Sequence, residues 1–525
     1  MTLIEDGILL VLLVTVLAGV ARRLQLPAPV ICALGGLVVG AVPGVPDVSV
    51  NPDLVQVLVL PPLLYAAALE LPTREVVREW RVVAALAIVV VLLSTALTGL
   101  AAALLVPDLP GNVALTLGAI LAATDAVAVA ALARALSLPR RLAVLVQSES
   151  LFNDATALVA FKVTVGLVVA GAAIQPGIDL GRFFLIAGGG AVLGLLVGYL
   201  AIWVRGMVSD SLTENALSLL TPFAAYLPAE AAHASGLTAV VFCGLFMSPR
   251  TSRVLTGEGR LSTEAIWGVL VYLLEGVIFA LIGLQLPTLL RHLTEQSVAA
   301  VIGEAALLFL AMSVVRFGVL FAGELALRIA PRRLGGRRRL RWREPLMLGW
   351  AGTRGVVALA AALALPRTIG TGQAFPDRNL LLVLTTLVIL FSLVVQGTTL
   401  ARLARLLGLR ADDEQTEREE AHARHAVARV GLRRLEDLLD QADVPQPVVD
   451  QLRRGLEQRV DRTRVRVETG QAAVGEGTAM SYRALRRQLL VAERAELVRL
   501  RDVGEVSDEV LRKVQRSLDI EEAGL

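Results

Sequence analysis

The sequence predicts an all-α polytopic membrane protein with a soluble helical tail, and three observations predict it. Of 525 residues, 55% are hydrophobic but only 4% aromatic, and the mean hydropathy is +0.67, too apolar for an ordinary soluble chain. Apolar runs of roughly 20 residues, enough to cross a bilayer as helices, recur throughout residues 1–405. Beyond residue 405 the composition turns abruptly to Glu, Asp, Arg and Gln.

In chain order, about thirteen candidate spans begin near residues 5, 27, 53, 80, 112, 141, 179, 212, 232, 264, 298, 345 and 379. The first, "GILLVLLVTVLAGVARR", lacks a basic leader and is followed by span after span, so it reads as a transmembrane helix rather than a signal peptide. The eighth and ninth are the least apolar. Alternate short loops carry the basic residues: Arg22 and Arg23; Arg74, Arg78 and Arg81; Arg140 and Arg141; Arg250 and Arg253; and "RRLGGRRRLRWR" at 332–343. Arg182, Arg291, Arg367 and Arg378 are the exceptions on the other side. Cytoplasmic loops collect Lys and Arg, so the N-terminus is expected outside and, with an odd number of spans, the C-terminus in the cytoplasm.

In the tail, residues 406–525, Leu432, Leu435, Leu438 and Leu439 share one helical stripe. "SYRALRRQLLVAERAELVRLRD" and "SDEVLRKVQRSLDIEE" continue the period, with Ser507 as an expected N-cap. A regulatory or oligomerisation bundle packing on the membrane part or on a second copy is expected; a ligand-sensing module is the alternative. The two cysteines, Cys32 and Cys243, lie in apolar segments, and the four histidines show no zinc spacing. Disulfide frameworks and thiolate metal sites are therefore not expected.

Two segments resemble each other. "AATDAVAVAALARALSLPR" (122–140) and "WAGTRGVVALAAALALPR" (350–367) both run from small residues through Thr, one charge and an apolar stretch to Leu-Pro-Arg. The aligned charges are opposite, Asp125 and Arg354. They fall in spans five and twelve, so if spans one to six repeat as eight to thirteen, the second copy is inverted. Inverted repeats with small-residue interruptions at matching positions point to a secondary transporter with a mid-membrane site. Each interruption predicts a discontinuous helix, the two crossing, with Asp125 and Arg354 offsetting unfavourable dipole ends. Two unrelated Ala-rich helices are the competing explanation.

Eight ionisable residues within the predicted spans stand out: Glu70, Asp125, Glu149, Asp154, Lys162, Glu275, Arg316 and Arg354. A charge at a helix centre costs roughly 2.5–3.5 kcal/mol, so such residues face cavities or partners. On a helix through "SESLFNDATALV", Glu149, Asn153, Ser150 and Asp154 share one side and Lys162 points away. Ser150 and Asp154 form one edge of that arc, suited to a bound cation. Glu149 forms the other, suited to a fixed positive partner, for which Arg354 is the expected choice. Oxygen ligands of this kind suit small hard cations, and one carboxylate taking either a cation or a proton is the minimal chemistry of an antiporter. The competing view of Asp154 and Asp125 is as hydrogen-bonded helix breakers.

"TDAVAVAAL", "SESLFNDATALV", "GTRGVVALAAALALP" and "LPPLLYAAALEL", over residues 1–405, resemble the monovalent cation/proton antiporters of the NhaP and NHE branch. The resemblance implies the NhaA/NhaP-like fold of about thirteen spans, a homodimer in a bacterial-type plasma membrane, and elevator-type transport. It implies sodium or lithium exchanged for protons in pH homeostasis, with no enzymatic activity, no cofactor beyond the transported ions and no nucleic-acid partner. By matching motifs, Asp154 resembles the ion- and proton-binding carboxylate, and Asn153 stands where electrogenic relatives carry a second Asp, which implies electroneutral exchange. Asp125 and Thr124 match the unwound crossing, Ser150 a cation ligand, and Glu149 with Arg354 a structural ion pair. Sodium is thus expected at Asp154, Ser150 and Thr124. Many members carry an acid where this chain has Ala66; Glu70, one turn later, is the expected substitute. Glu275 and Arg316 form a second candidate pair or are purely structural. A potassium/proton antiporter remains the alternative, and an intramembrane aspartate enzyme a remote one.

Overall fold

The computed structural model describes residues 3–24, 27–43, 55–125, 138–208, 210–255, 257–291, 297–329, 342–369, 372–409, 413–439, 445–469, 476–503 and 508–523. The chain divides into two compact units, Met1–Ala411 and Asp412–Leu525. The first unit holds helices α1 (Leu3–Leu24), α2 (Ala28–Gly40), α3 (Leu60–Glu70), α4 (Thr73–Arg78), α5 (Trp80–Ala84), α6 (Val91–Leu105), α7 (Gly111–Ala122) and α8 (Arg140–Ala170). It continues with α9 (Pro176–Arg205), α10 (Ser211–Ala231), α11 (Gly236–Val254), α12 (Gly257–Arg291) and α13 (Val298–Ile329). The last four are α14 (Arg343–Trp350), α15 (Val356–Leu363), α16 (Arg378–Phe391) and α17 (Gly397–Leu406). Wider π turns at Val55–Val59, Ala85–Val90 and Ser392–Gln396 join α3, α6 and α17 to what precedes them. Among the described residues, seven helices are long and apolar enough to cross a membrane, and three more are apolar but shorter.

Local chemistry sets the helix ends. Prolines 61 and 62 occupy the first turn of α3 and Pro176 opens α9, where a missing N–H costs nothing. Asp210 and Ser235 cap α10 and α11 by accepting from Thr213 N at 2.9 Å and Thr238 N at 3.2 Å. Gly171, at φ +60, terminates α8 in the left-handed conformation.

Small residues bring the helices together. A Cβ on Gly36 would lie 2.2 Å from Ala280 O, and one on Gly283 would lie 2.1 Å from Ala33 O, so α2 and α12 pack backbone to backbone. Gly118 against Thr95 O (2.3 Å) does the same for α6 and α7, and Gly194 against Ala239 O (2.1 Å) for α9 and α11. Packing through small residues is how helices associate where lipid removes the hydrophobic drive. Helices α1 and α9 leave most of their apolar side chains uncovered, as with Leu12 and Leu185. At the start of α8, Arg141 lies 3.4 Å from Glu79 and 3.7 Å from Glu344, and Arg140 pairs with Glu75.

The second unit is described by α18 (Asp413–Leu439), α19 (Gln446–Thr469), α20 (Glu476–Asp502) and α21 (Asp508–Ala523). α18 packs with α19, and α20 with α21. The buried residues Ala421, Ala428, Val449 and Leu490 mark their apolar seams. Ser507, the expected cap of α21, lies outside the described residues.

Candidate ion-binding site

The end of one helix meets an interrupted helix inside the first unit. α7 stops at Ala122, and the chain runs on extended through Ala123, Thr124 and Asp125; residues 126–137 lie outside the described residues. Opposite, α14 ends at Trp350 and α15 begins at Val356, with 351–355 unwound between them. The breaks satisfy each other where Asp125 N donates to Thr353 O at 2.8 Å. Glycine is required here by proximity. A Cβ on Gly355 would sit 2.2 Å from Asp125 Oδ2, and one on Gly352 would sit 2.2 Å from Arg316 Nε.

α8 passes this crossing and presents Ser150, Asn153 and Asp154 to it. Thr124 N donates to Asp154 Oδ1 at 3.0 Å, the Thr124 and Ser150 hydroxyls are 3.0 Å apart, and Asn153 Nδ2 donates to Thr124 Oγ1 at 3.1 Å. All four side chains are buried, Asp154 to 1% exposure. Asp154 Oδ2 and Asn153 Oδ1 are buried without a hydrogen-bond partner among the described residues. Such orphans are costly in a low-dielectric interior. Asp154 borders a small cavity of about 20 Å³, lined also by Asp125, Glu275, Leu63, Leu64, Ala67, Val356 and Val357. That volume holds one water-sized species.

Three pairings differ from the sequence expectation. Glu149 is paired with Arg316, not Arg354: Arg316 Nη2 donates to Glu149 Oε1 at 2.5 Å and to Leu348 O at 3.2 Å. Arg354 Nη1 donates instead to the carbonyls of Ala122 and Ala123, both at 3.2 Å. The reason is that a helix ending inside the protein leaves its last carbonyls unsatisfied at the negative end of its dipole. Arg354, on the facing break, supplies the donor. With Arg316 committed to Glu149, the Glu275–Arg316 pair does not form, and Glu275 lines the cavity instead. Glu70, the last residue of α3, is exposed and is not among the cavity-lining residues. Lys162, on the far side of α8, pairs with Glu230 at 2.5 and 2.7 Å.

The model of the family described as "Sodium/hydrogen exchanger, transmembrane" matches residues 8–406. The chain belongs to the sodium/hydrogen exchanger family. That family is one of membrane-embedded transporters of sodium and protons. An uncharacterized Na(+)/H(+) exchanger of Mycobacterium bovis is 34% identical over 544 residues, covering 100% of this chain and 98% of the relative. The Na(+)/H(+) antiporter NhaH of Halobacillus dabanensis is 32% identical, covering 77% of this chain and 98% of the relative. Among solved structures, the sodium proton antiporter MjNhaP1 from Methanocaldococcus jannaschii aligns with a TM-score of 0.62 at 22% identity, over 77% of this chain and 98% of that one. At that identity the likeness concerns the fold alone.

In this exchanger, residues that sequence reasoning did not single out hold Arg354 in place. Its backbone N donates to Ser392 Oγ at 2.8 Å, Ser392 Oγ donates to Gln396 Oε1 at 2.5 Å, and its Nε lies 3.1 Å from Met312 Sδ. Ser392 and Gln396 belong to a π turn in the "FSLVVQG" run, and π turns recur at functional sites. Two buried polar residues four apart in an apolar span were the available signal.

Proposed function

We propose that this exchanger swaps sodium, or lithium, for protons one for one, with Asp154 as the carboxylate that carries either ion. The observation that carries the reading is Asp154 itself. One carboxylate oxygen is anchored by Thr124 N, the other is unsatisfied, and the group borders a cavity of water size. The neighbouring donors fit a small hard cation: the hydroxyls of Thr124 and Ser150 and the unengaged Asn153 Oδ1 are neutral oxygens.

Coupling follows from electrostatics. An ionised carboxylate without a counter-charge costs several kcal/mol within the membrane. The site therefore crosses only when Asp154 holds a proton or a cation. Asn153 contributes an oxygen without a charge, which favours electroneutral exchange. Arg354 and Arg316 stay bound to the α7 carbonyls and to Glu149, so they hold the crossing in shape without competing for Asp154.

The rest of the account belongs to the same proposal. Segments 122–140 and 350–367 are corresponding parts of an inverted repeat within about thirteen spans, and the crossing helices move as an elevator against the α2–α12 wall. Residues 1–405 form the transport domain of a homodimer in the plasma membrane, with the N-terminus outside. Residues 406–525 form a cytoplasmic regulatory or oligomerisation tail. The loop arginines and the division of the chain after Ala411 support this layout.

The test is proton flux in everted vesicles on addition of sodium, lithium or potassium after a pH gradient is set. Sodium should dissipate the gradient in wild type and not in Asp154→Asn. A response to potassium alone overturns the sodium assignment. Absence of any cation-dependent flux in folded protein removes the antiporter reading.

A further inference from the structure

One carboxylate at the cavity has no place in the pairing scheme. Glu275, on α12, is half-buried and lines the same small space as Asp154 and Asp125. It has neither a hydrogen bond nor an ion pair among the described residues; its charged neighbours are Asp125 and Glu70, both of its own sign. Among the described residues no arginine or lysine lines the cavity; Arg316 pairs with Glu149 and Arg354 with the α7 carbonyls. Asp154, 99% buried and with Oδ2 lacking a hydrogen-bond partner among the described residues, lines the same cavity. The space is therefore lined by carboxylates from α12 on one side and from α7 and α8 on the other, a lining suited to a cation.

The two sides belong to different walls. α12 is held to α2 by the glycine contacts above, and to α1 where a Cβ on Gly276 would lie 2.3 Å from Val14 Cγ1. Asp154 and Asp125 belong to α8 and to the end of α7. Among the described residues no three acidic, His or Cys side chains converge closely enough to hold one metal ion together. Glu275 stands on the α12 side of this cavity and is the more exposed of the two carboxylates.

The geometry points to Glu275 as a capture carboxylate: it holds the incoming monovalent cation on the α12 wall before Asp154 takes it. This rests on the antiporter reading above and adds a second cation position to it. A half-buried anion in a low-dielectric cleft concentrates cations locally and speeds their arrival. It leaves the step made by Asp154 unchanged.

The experiment measures sodium-dependent proton flux by the full-length protein in proteoliposomes, over a range of sodium concentrations. Glu275→Gln should raise the KM for sodium by roughly tenfold and keep the maximal rate within about twofold of wild type. Glu275→Asp, which keeps the charge, should stay within about threefold of the wild-type KM. The wild-type KM should rise as choline chloride screens the capture charge, and that dependence should flatten in Glu275→Gln. An unchanged KM in Glu275→Gln, or a Glu275→Asp as impaired as Glu275→Gln, overturns the proposal. If Glu275→Gln does not fold, the choline dependence of wild type and the Glu275→Asp KM decide it. Asp154→Asn is the companion control. Loss of exchange there with an unaltered Glu275→Gln refutes only the capture role, whereas absence of exchange in wild type refutes the antiporter reading itself.

Discussion

Replacing Arg316 with methionine removes the partner of a carboxylate that cannot reach water. In the Glu149–Arg316 pair the two side chains are 3% and 5% exposed, so neither charge is solvated once the other is lost. Breaking a buried pair from one side costs about 3–5 kcal/mol. For a unit of 411 residues, the usual unfolding entropy per residue turns this into a Tm loss of about 4–6 °C. Removing both charges together, as Glu149→Gln with Arg316→Met, leaves no orphan and should recover roughly half of that loss or more. The assay is thermal unfolding of the detergent-solubilised protein, followed by tryptophan fluorescence, over the full double-mutant cycle. The same cycle with Arg354→Met should show the smaller coupling to Glu149. A larger coupling to Arg354 than to Arg316 would refute the pairing and restore the arrangement expected from sequence.

Gly355→Ala places a methyl 2.2 Å from Asp125 Oδ2, an overlap of the kind that costs about 1–3 kcal/mol; sodium/proton exchange should fall by about tenfold, while Gly303→Ala, with nothing within 4 Å, leaves the rate unchanged. In the tail, Arg486 donates to Glu521 at 2.6 and 2.9 Å and Arg499 to Glu496 at 2.8 and 2.6 Å, which holds both carboxyls below the usual glutamate range. A lowered carboxyl contributes stability above its ordinary pKa and loses it as pH falls through the lowered value. Hydrogen-exchange protection of α21, corrected for intrinsic rate, should therefore be flat at neutral pH and decline below about pH 4.5. Protection that is constant through that range contradicts the linkage.

Periodicity and composition carried the fold a long way. The helix starts at Ala28, Trp80, Gly111, Arg140, Ser211 and Val298 fall within two residues of positions read from apolar runs, because a helix start in lipid is marked by where polarity ends. The candidate grouping was legible where it is local. Glu149, Ser150, Asn153 and Asp154 lie on one helix, and the small residues around Thr353 announced a break. The partners were not legible. A helical projection gives the direction in which Glu149 points, but not which arginine from another helix arrives there. The repeat and the matching motif favoured Arg354 for Glu149, and the unsatisfied carbonyls of α7, which draw Arg354 away, are not visible in sequence. Glu275 and Glu70 show the same limit, since each is a glutamate in an apolar span. One lines the cavity and the other sits exposed at a helix end, a difference made by how α12 and α3 pack.

In the proposed exchange Asp154 crosses the membrane with one sodium or one proton, never with both and never empty. The measurement that meets it most directly is sodium-driven proton movement in proteoliposomes with the membrane potential clamped at several values. One-for-one exchange gives the same initial rate at every potential, and none in Asp154→Asn. A rate that changes with potential contradicts one-for-one exchange, and undiminished flux in Asp154→Asn contradicts the assignment of the carrier.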